Sequence, residues 1–192
     1  MLRTQPDATT SAAPRRRRST STDLALIASF AALIGVLGLV PPVAIGLPVP
    51  ITLQTMGVMI AGLVLGPRRA VLAVLVFLAL VAVGIPLLSG GRGGLAAFVA
   101  PTSGYLLGFV LGAFVTGWLR DRLLPRLPIA LAYIAAAIVG GVLAIYLIGI
   151  PVMVWRTGVS PMAGLVFLPG DIVKAILATL VAVGVAKALP DR

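Results

Sequence analysis

The chain has 192 residues, 60% of them hydrophobic and only 10% charged, where a soluble domain carries about 25% charged residues; this composition marks an integral membrane protein. The net charge of +10 comes from 15 Lys plus Arg against 5 acids, and these cations punctuate long apolar runs instead of forming a nucleic-acid patch. The sequence contains no His, Cys, Glu or Asn, which excludes disulfides, thiol nucleophiles, the usual zinc and haem sites and imidazole bases. No phosphate-cradling GxxxxGK[ST] string occurs, so the chain does not hydrolyse ATP in the P-loop manner. No cofactor is expected.

From the N-terminus, residues 1–22 are polar and small, with Arg15 to Arg18 just before the first apolar stretch, and read as a disordered basic cytoplasmic arm. A cleaved signal peptide is disfavoured: the apolar segment is too long and no A-x-A-like site follows it. Residues 23–188 then hold six apolar stretches, at Asp23 to Val40, Ile51 to Gly66, Ala70 to Leu88, Ser103 to Leu119, Ile129 to Ile150 and Leu165 to Ala188. Each is near the ~20 residues that a helix needs to cross ~30 Å of hydrocarbon. The fold class expected is all-α, one bundle of six transmembrane helices, with 189–192 as a short cytoplasmic tail.

Prolines fall between the stretches, at Pro41-Pro42, Pro48, Pro50, Pro67, Pro101, Pro125, Pro128, Pro151 and Pro161, where lost backbone donors matter least. Twelve cations lie on one side of this arrangement, Arg92 and Arg156 lie on the other, and Lys174 is inside a helix. The positive-inside rule therefore places both termini in the cytoplasm. Trp118 and Trp155 fall at opposite interfaces. The second stretch is short enough to be tilted or re-entrant, and no inverted repeat of the kind secondary transporters carry is visible.

An ionisable side chain in hydrocarbon costs ~2.5–3.5 kcal/mol on insertion scales, so one that persists points to function. Asp171 and Lys174 are the two clear cases, spaced i, i+3 on one face of the sixth helix, in its outward half. They are either a self-neutralising anchor or a complementary pair for a neutral polar ligand. A cyclic urea or amide satisfies both, with N–H donating to Asp171 and C=O accepting from Lys174.

Three more features face the same side. The loop Ser89-Gly90-Gly91-Arg92-Gly93-Gly94 is either a flexible turn or an anion site built from Arg92 and the backbone at Gly91 and Gly93. Pro101-Thr102-Ser103-Gly104-Tyr105 opens the fourth helix and offers Thr102 and Tyr105. Gln54, between Thr52 and Thr55, is the one amide side chain outside the arm and serves either ligand contact or helix-to-helix bonding. Small residues recur every four positions at Ala28 and Ala32, at Gly104, Gly108 and Gly112, and at Ala132, Ala136, Gly140 and Ala144, which permits close helix approach.

Three strings taken together carry a resemblance: Pro50-Ile51-Thr52-Leu53-Gln54-Thr55-Met56-Gly57 running to Leu65-Gly66-Pro67-Arg68; Gly90-Gly91-Arg92-Gly93-Gly94-Leu95 with Pro101 to Gly108; and Pro169-Gly170-Asp171-Ile172-Val173-Lys174. They resemble BioY, the biotin-specific S component of energy-coupling factor (ECF) transporters. The resemblance implies a six-helix protein of the bacterial plasma membrane that captures biotin from outside and associates with a transmembrane coupling protein and two ATPase subunits. It carries the ring-binding Asp and Lys onto Asp171 and Lys174, and docking to the coupling protein onto Ala28 and Ala32. Family members also use an Asn for the ring; here Gln54, a hydroxyl such as Thr102, or water takes its place.

The alternative from another class is a solitary secondary transporter driven by protons or sodium. It needs a titrating relay, and Asp171 is the one membrane carboxylate apart from Asp23 at the edge of the first helix. An intramembrane enzyme lacks a second catalytic carboxylate or a nucleophile with its base.

Overall fold

A computed structural model describes residues 19–41 and 52–188. The basic run Arg15 to Arg18, Pro48 and Pro50, and the tail 189–192 lie outside the described residues. Among those described there is no strand, only one isolated bridge between Leu88 and Arg92, so the all-α expectation holds. Six helices of twelve residues or more are present: α1 Thr20–Leu39, α2 Gln54–Leu65, α3 Pro67–Ala82, α4 Ser103–Leu123, α5 Ile129–Thr157 and α6 Leu168–Ala188. Helix α1, helix α5 and the segment Met162–Ala188 are long and apolar enough to cross a membrane.

The helices run alternately up and down. At one end Gln54 of α2 bonds the Leu87 carbonyl after α3, and Gly104 of α4 abuts Val152 of α5. At the other end Asp23 of α1 pairs with Arg69 of α3, while Gly117 of α4 lies against Gly66 and Pro67. Arg92 and Arg156 mark the first end; Arg68, Arg69, Arg120, Arg122 and Lys187 mark the second. Trp118 and Trp155 lie near opposite ends, each under an arginine, with Arg122 5.0 Å and Arg156 5.3 Å from the ring centroids.

Several boundaries differ from those expected. Helix α3 stops at Ala82 and not Leu88, because Gly84 turns the chain with φ +104 and Pro86 supplies no donor. Helix α4 continues to Leu123, its last turn carrying Arg120, Asp121 and Arg122. Pro151 does not end the fifth helix, which runs on to a left-handed cap at Gly158, φ +69. Packing holds that segment together, since Gly104 and Gly108 let α4 press on Ile145, Ile148 and Val152 on either side of Pro151. Helix α6 starts at Leu168 after a short turn at Met162–Leu165; Pro169 sits in its first turn, where no intrahelical donor is needed. Between α2 and α3 one residue suffices: Gly66, φ +80, followed by Pro67 at the first helical position.

Two of the three small-residue ladders meet each other. A side chain at Gly108 would meet the Ile145 carbonyl, and one at Gly112 the Gly140 carbonyl, so α4 and α5 touch backbone to backbone. The ladder on α1 faces away: Ile27, Ala31, Ile34, Gly35 and Gly38 are buried, whereas Ala28 and Ala32 are exposed. Leu24, Val36, Leu72, Leu147 and Leu180 are exposed as well. An apolar exterior of this extent suits hydrocarbon and not water.

The close approach makes a prediction. Gly108→Ala places a methyl 2.8 Å from the Ile145 oxygen and should destabilise the detergent-solubilised protein by about 1–3 kcal/mol. Gly184→Ala, in α6 with nothing within 4 Å, should be neutral or stabilise by up to ~1 kcal/mol. Thermal denaturation of the two variants checks this; equal melting would mean that α4 and α5 yield freely.

Candidate ligand-binding site

The alternating topology brings the start of α2, the loop after α3, the start of α4, the middle of α5 and the start of α6 to one end of the bundle. A cavity with about 70 Å³ of solvent-accessible space lies between them, roughly the room of five waters or of a small ring. Leu88, Leu106, Phe109 and Phe167 form its apolar wall.

Asp171 and Lys174 share a face of α6 and line this cavity, 4% and 6% exposed. Lys174 Nζ stands 2.8 Å from Asp171 Oδ1. Thr55 Oγ1 donates to the same oxygen at 3.3 Å and accepts from Lys174 Nζ at 3.4 Å. The other carboxylate oxygen accepts from the Tyr146 hydroxyl at 2.5 Å. Two buried charges are sustained in an apolar bundle only when paired and hydrogen-bonded, and three helices contribute to doing so here. Asp171 also lies in the first turn of α6, where the helix dipole favours an anion.

Tyr146 is the residue that sequence reasoning missed. It lies two residues beyond a π-helical segment, Val139–Ala144, whose wider turn changes the azimuth of everything after it. The segment sits where Gly140 lies against Thr116 of α4 and Gly141 against Met59 of α2. The available signal was a phenol in the middle of an apolar stretch, since a buried Tyr O–H needs a partner. Thr55 was visible only as a neighbour of Gln54.

The other expected site residues fall as follows. Gln54, Arg92, Thr102 and Tyr105 line the same cavity as Asp171 and Lys174. Gln54 Nε2 donates to the Leu87 carbonyl at 3.1 Å and the Ile34 carbonyl at 3.5 Å, so its amide group ties α2 to α1 and to the following loop while the residue borders the cavity. Thr102 Oγ1 is buried with no partner among the described residues, as is Ser89 Oγ on the same lining; unpaired buried hydroxyls beside a cavity are groups a ligand or water can satisfy. Tyr105 points its hydroxyl toward Met153 Sδ at 3.9 Å. Arg92 is exposed, and its Nε donates to the Ser89 carbonyl at 3.1 Å.

Gly91 and Gly93 do not line the cavity. Their part is in the loop: Gly90 and Gly91 have φ +77 and +69 between the bridged Leu88 and Arg92, and Gly93 packs on the Ile85 backbone. The backbone at these glycines therefore shapes the hairpin that carries Arg92.

An all-helical apolar bundle enclosing a cavity with a buried ion pair defines a membrane-embedded small-molecule binding protein. The chain belongs to the BioY family, whose model matches residues 9–191. It is 48% identical over 167 residues to the biotin transporter BioY of Rhizobium etli, across 82% of this chain and 89% of that one. With the biotin transporter BioY of Rhodobacter capsulatus it shares 46% identity over 185 residues, 88% and 95% of the two chains. Among solved structures it is similar to the S-component for biotin of an ECF-type ABC transporter, with TM-score 0.82 and 32% identity over 89% of this chain and 95% of that one.

Removing one member of a buried pair strands the other charge, at a cost of about 3–5 kcal/mol, whereas replacing both with apolar residues is often neutral. Lys174→Met should therefore lower the melting temperature sharply, and the double variant Asp171→Leu with Lys174→Met should recover much of that loss. A Lys174→Met protein that melts like the wild type would show that the pair is not held as a buried ion pair.

Proposed function

We propose that this protein takes up biotin, acting as the membrane-embedded, substrate-binding S component of an ECF-type transporter. The observation that carries the reading is the buried Asp171–Lys174 pair on the wall of a cavity in a chain of the BioY family. Biotin joins a ureido ring to an apolar thiophane and a valerate chain. In this reading the ring N–H donates to Asp171 and the ring carbonyl accepts from Lys174, charge-assisted at both ends. Leu106, Phe109 and Phe167 cover the thiophane. The carboxylate lies toward Arg92 on its hairpin, shaped by Gly91 and Gly93, with Gln54, Thr102 and Tyr105 completing the polar lining and Gln54, a hydroxyl such as Thr102, or water in place of the family's Asn. Biotin is cargo here, and no cofactor takes part.

The proposed setting is a bacterial plasma membrane crossed six times, with the arm 1–22 and the tail 189–192 in the cytoplasm and 23–188 as the membrane domain. The distribution of Lys and Arg supports that orientation. Energy is supplied in trans by a coupling protein and ATPase subunits, because the chain has no nucleotide-binding motif of its own. The exposed Ala28 and Ala32 on α1 form the docking stripe, small enough for a partner helix to approach closely.

Two experiments test this. In equilibrium titration of the purified protein with biotin, Asp171→Asn should weaken binding about 10–100-fold, the loss of a bond to a charged group. Arg156→Ala should have little effect, since Arg156 does not line the cavity and its guanidinium goes to the Val99 carbonyl and the Trp155 ring. Unchanged affinity in a folded Asp171→Asn protein would sink the assignment. Separately, Ala28→Trp or Ala32→Trp should impair complex formation and ATP-dependent uptake while sparing biotin binding. Equal loss of both would remove the docking stripe, and robust uptake with no ATPase present would favour the solitary transporter.

A further inference from the structure

The polar end of the cavity has countable hydrogen-bonding capacity. A carboxylate offers about four acceptor positions, two on each oxygen, and an ammonium offers three donors. At Asp171, Oδ1 accepts from Lys174 Nζ and Thr55 Oγ1, and Oδ2 accepts from the Tyr146 hydroxyl. Three of the four positions are thereby filled, leaving one on Oδ2. At Lys174, one N–H goes to Asp171 and one to Thr55. One donor remains.

We propose that Tyr146 and Thr55 are specificity-determining residues: by occupying the carboxylate they reduce the buried pair to one free acceptor and one free donor, the complement of a urea edge. The inference rests on the proposed biotin site and adds to it a rule for what that site rejects. A cyclic urea presents an N–H beside a C=O and satisfies both free positions. A cyclic guanidinium of the same shape presents N–H groups only, so it leaves the Lys174 donor unmet, places a cation against the ammonium, and finds one acceptor where it needs two. A site with fixed polar partners discriminates strongly against an analogue that cannot match them.

Neither residue needs to touch the ligand for this. Tyr146→Phe frees the second position on Oδ2, and Thr55→Val frees one on Oδ1 together with a Lys174 donor. Tyr146→Phe thereby makes the carboxylate a better partner for a guanidinium than it is in the wild type without removing either charge, whereas Thr55→Val adds an acceptor and an opposing donor together and so shifts the preference less. A role limited to packing predicts no such change, because the aromatic ring and the branched shape are retained.

The test is calorimetric titration of wild type, Tyr146→Phe, Thr55→Val and Thr55→Ser with biotin and with its 2-imino analogue at neutral pH. The wild type should prefer biotin. The preference should narrow by about tenfold in Tyr146→Phe, the scale of one hydrogen bond to a charged group, and by less in Thr55→Val, where the freed Lys174 donor still favours the urea carbonyl; Thr55→Ser, which keeps the hydroxyl, should retain the wild-type ratio. An unchanged ratio in both variants, each still binding biotin, would overturn the inference while leaving the biotin site intact. A wild-type protein that binds no biotin would overturn the functional reading and the inference with it. Should Tyr146→Phe fail to fold, Thr55→Val with its serine control decides the matter alone.

Discussion

The interaction on which the rest of this structure depends is the contact between Asp171 and Lys174, 2.8 Å apart within one helix. Two charges 5% and 7% exposed at the side chain carry a desolvation penalty of several kcal/mol each, which their mutual attraction offsets only with further hydrogen bonds in good geometry. One helix cannot supply those. Thr55 comes from α2 and Tyr146 from α5, so α6 is tied to its neighbours by its own most expensive residues. The demand for satisfied charge thus works as a constraint on helix placement, acting where apolar packing alone is indifferent to rotation about the helix axis.

Helix α4 makes that placement possible from the opposite side. Its glycines let α5 come into backbone contact at Ile145 and Gly140, and Ile145 is the residue immediately before Tyr146. The position of the Tyr146 hydroxyl is therefore fixed by three things in series: the glycine ladder on α4, the π-helical segment Val139–Ala144 packed over Thr116, and the acceptor on α6. Interiors packed at this density transmit small displacements instead of absorbing them. A change in the ladder is accordingly a change in the geometry around Asp171.

Much of this was legible in the sequence, and the parts that were not share a cause. Asp171, Lys174, Gln54, Arg92, Thr102 and Tyr105 stand out because each is a polar group in or beside an apolar run, and a polar group in hydrocarbon announces itself by its cost. The cavity gathers all six. Tyr146 escaped because an amphipathic ring in an apolar stretch is read as packing unless one asks where its hydroxyl goes. Gly91 and Gly93 read in the sequence as either a flexible turn or the backbone of an anion site, and their conformations build the hairpin that carries Arg92. Pro151 was taken for a helix terminus by a rule drawn from isolated helices; contact with α4 overrides it, as tertiary packing overrides local preference elsewhere. Periodicity finds segments. It does not find a π-turn, since one extra residue in a uniformly apolar helix changes no pattern.

The two ends of the bundle are built on different principles. At the cavity end Asp171 and Lys174 are buried, paired and held by three helices, with the exposed Arg92 and Arg156 outside them. At the other end Asp23 pairs with Arg69 at 2.9 Å with both side chains 32% exposed, and Arg120 pairs with the still more open Asp121; ion pairs so exposed contribute little to stability and are screened by salt. Helix α1 is joined at that end by the Asp23 pair beside the buried Ile27, and toward the cavity end by Gln54, whose amide reaches the Ile34 carbonyl. Gln54 borders the cavity and Ala28 and Ala32 lie on the open face of the same α1. A shift of α1 against α2 would therefore be felt through Gln54 at the cavity wall. The bundle therefore holds its buried charges through three helices at one end, and at the other joins α1 to α3 by a half-buried ion pair over packed apolar side chains.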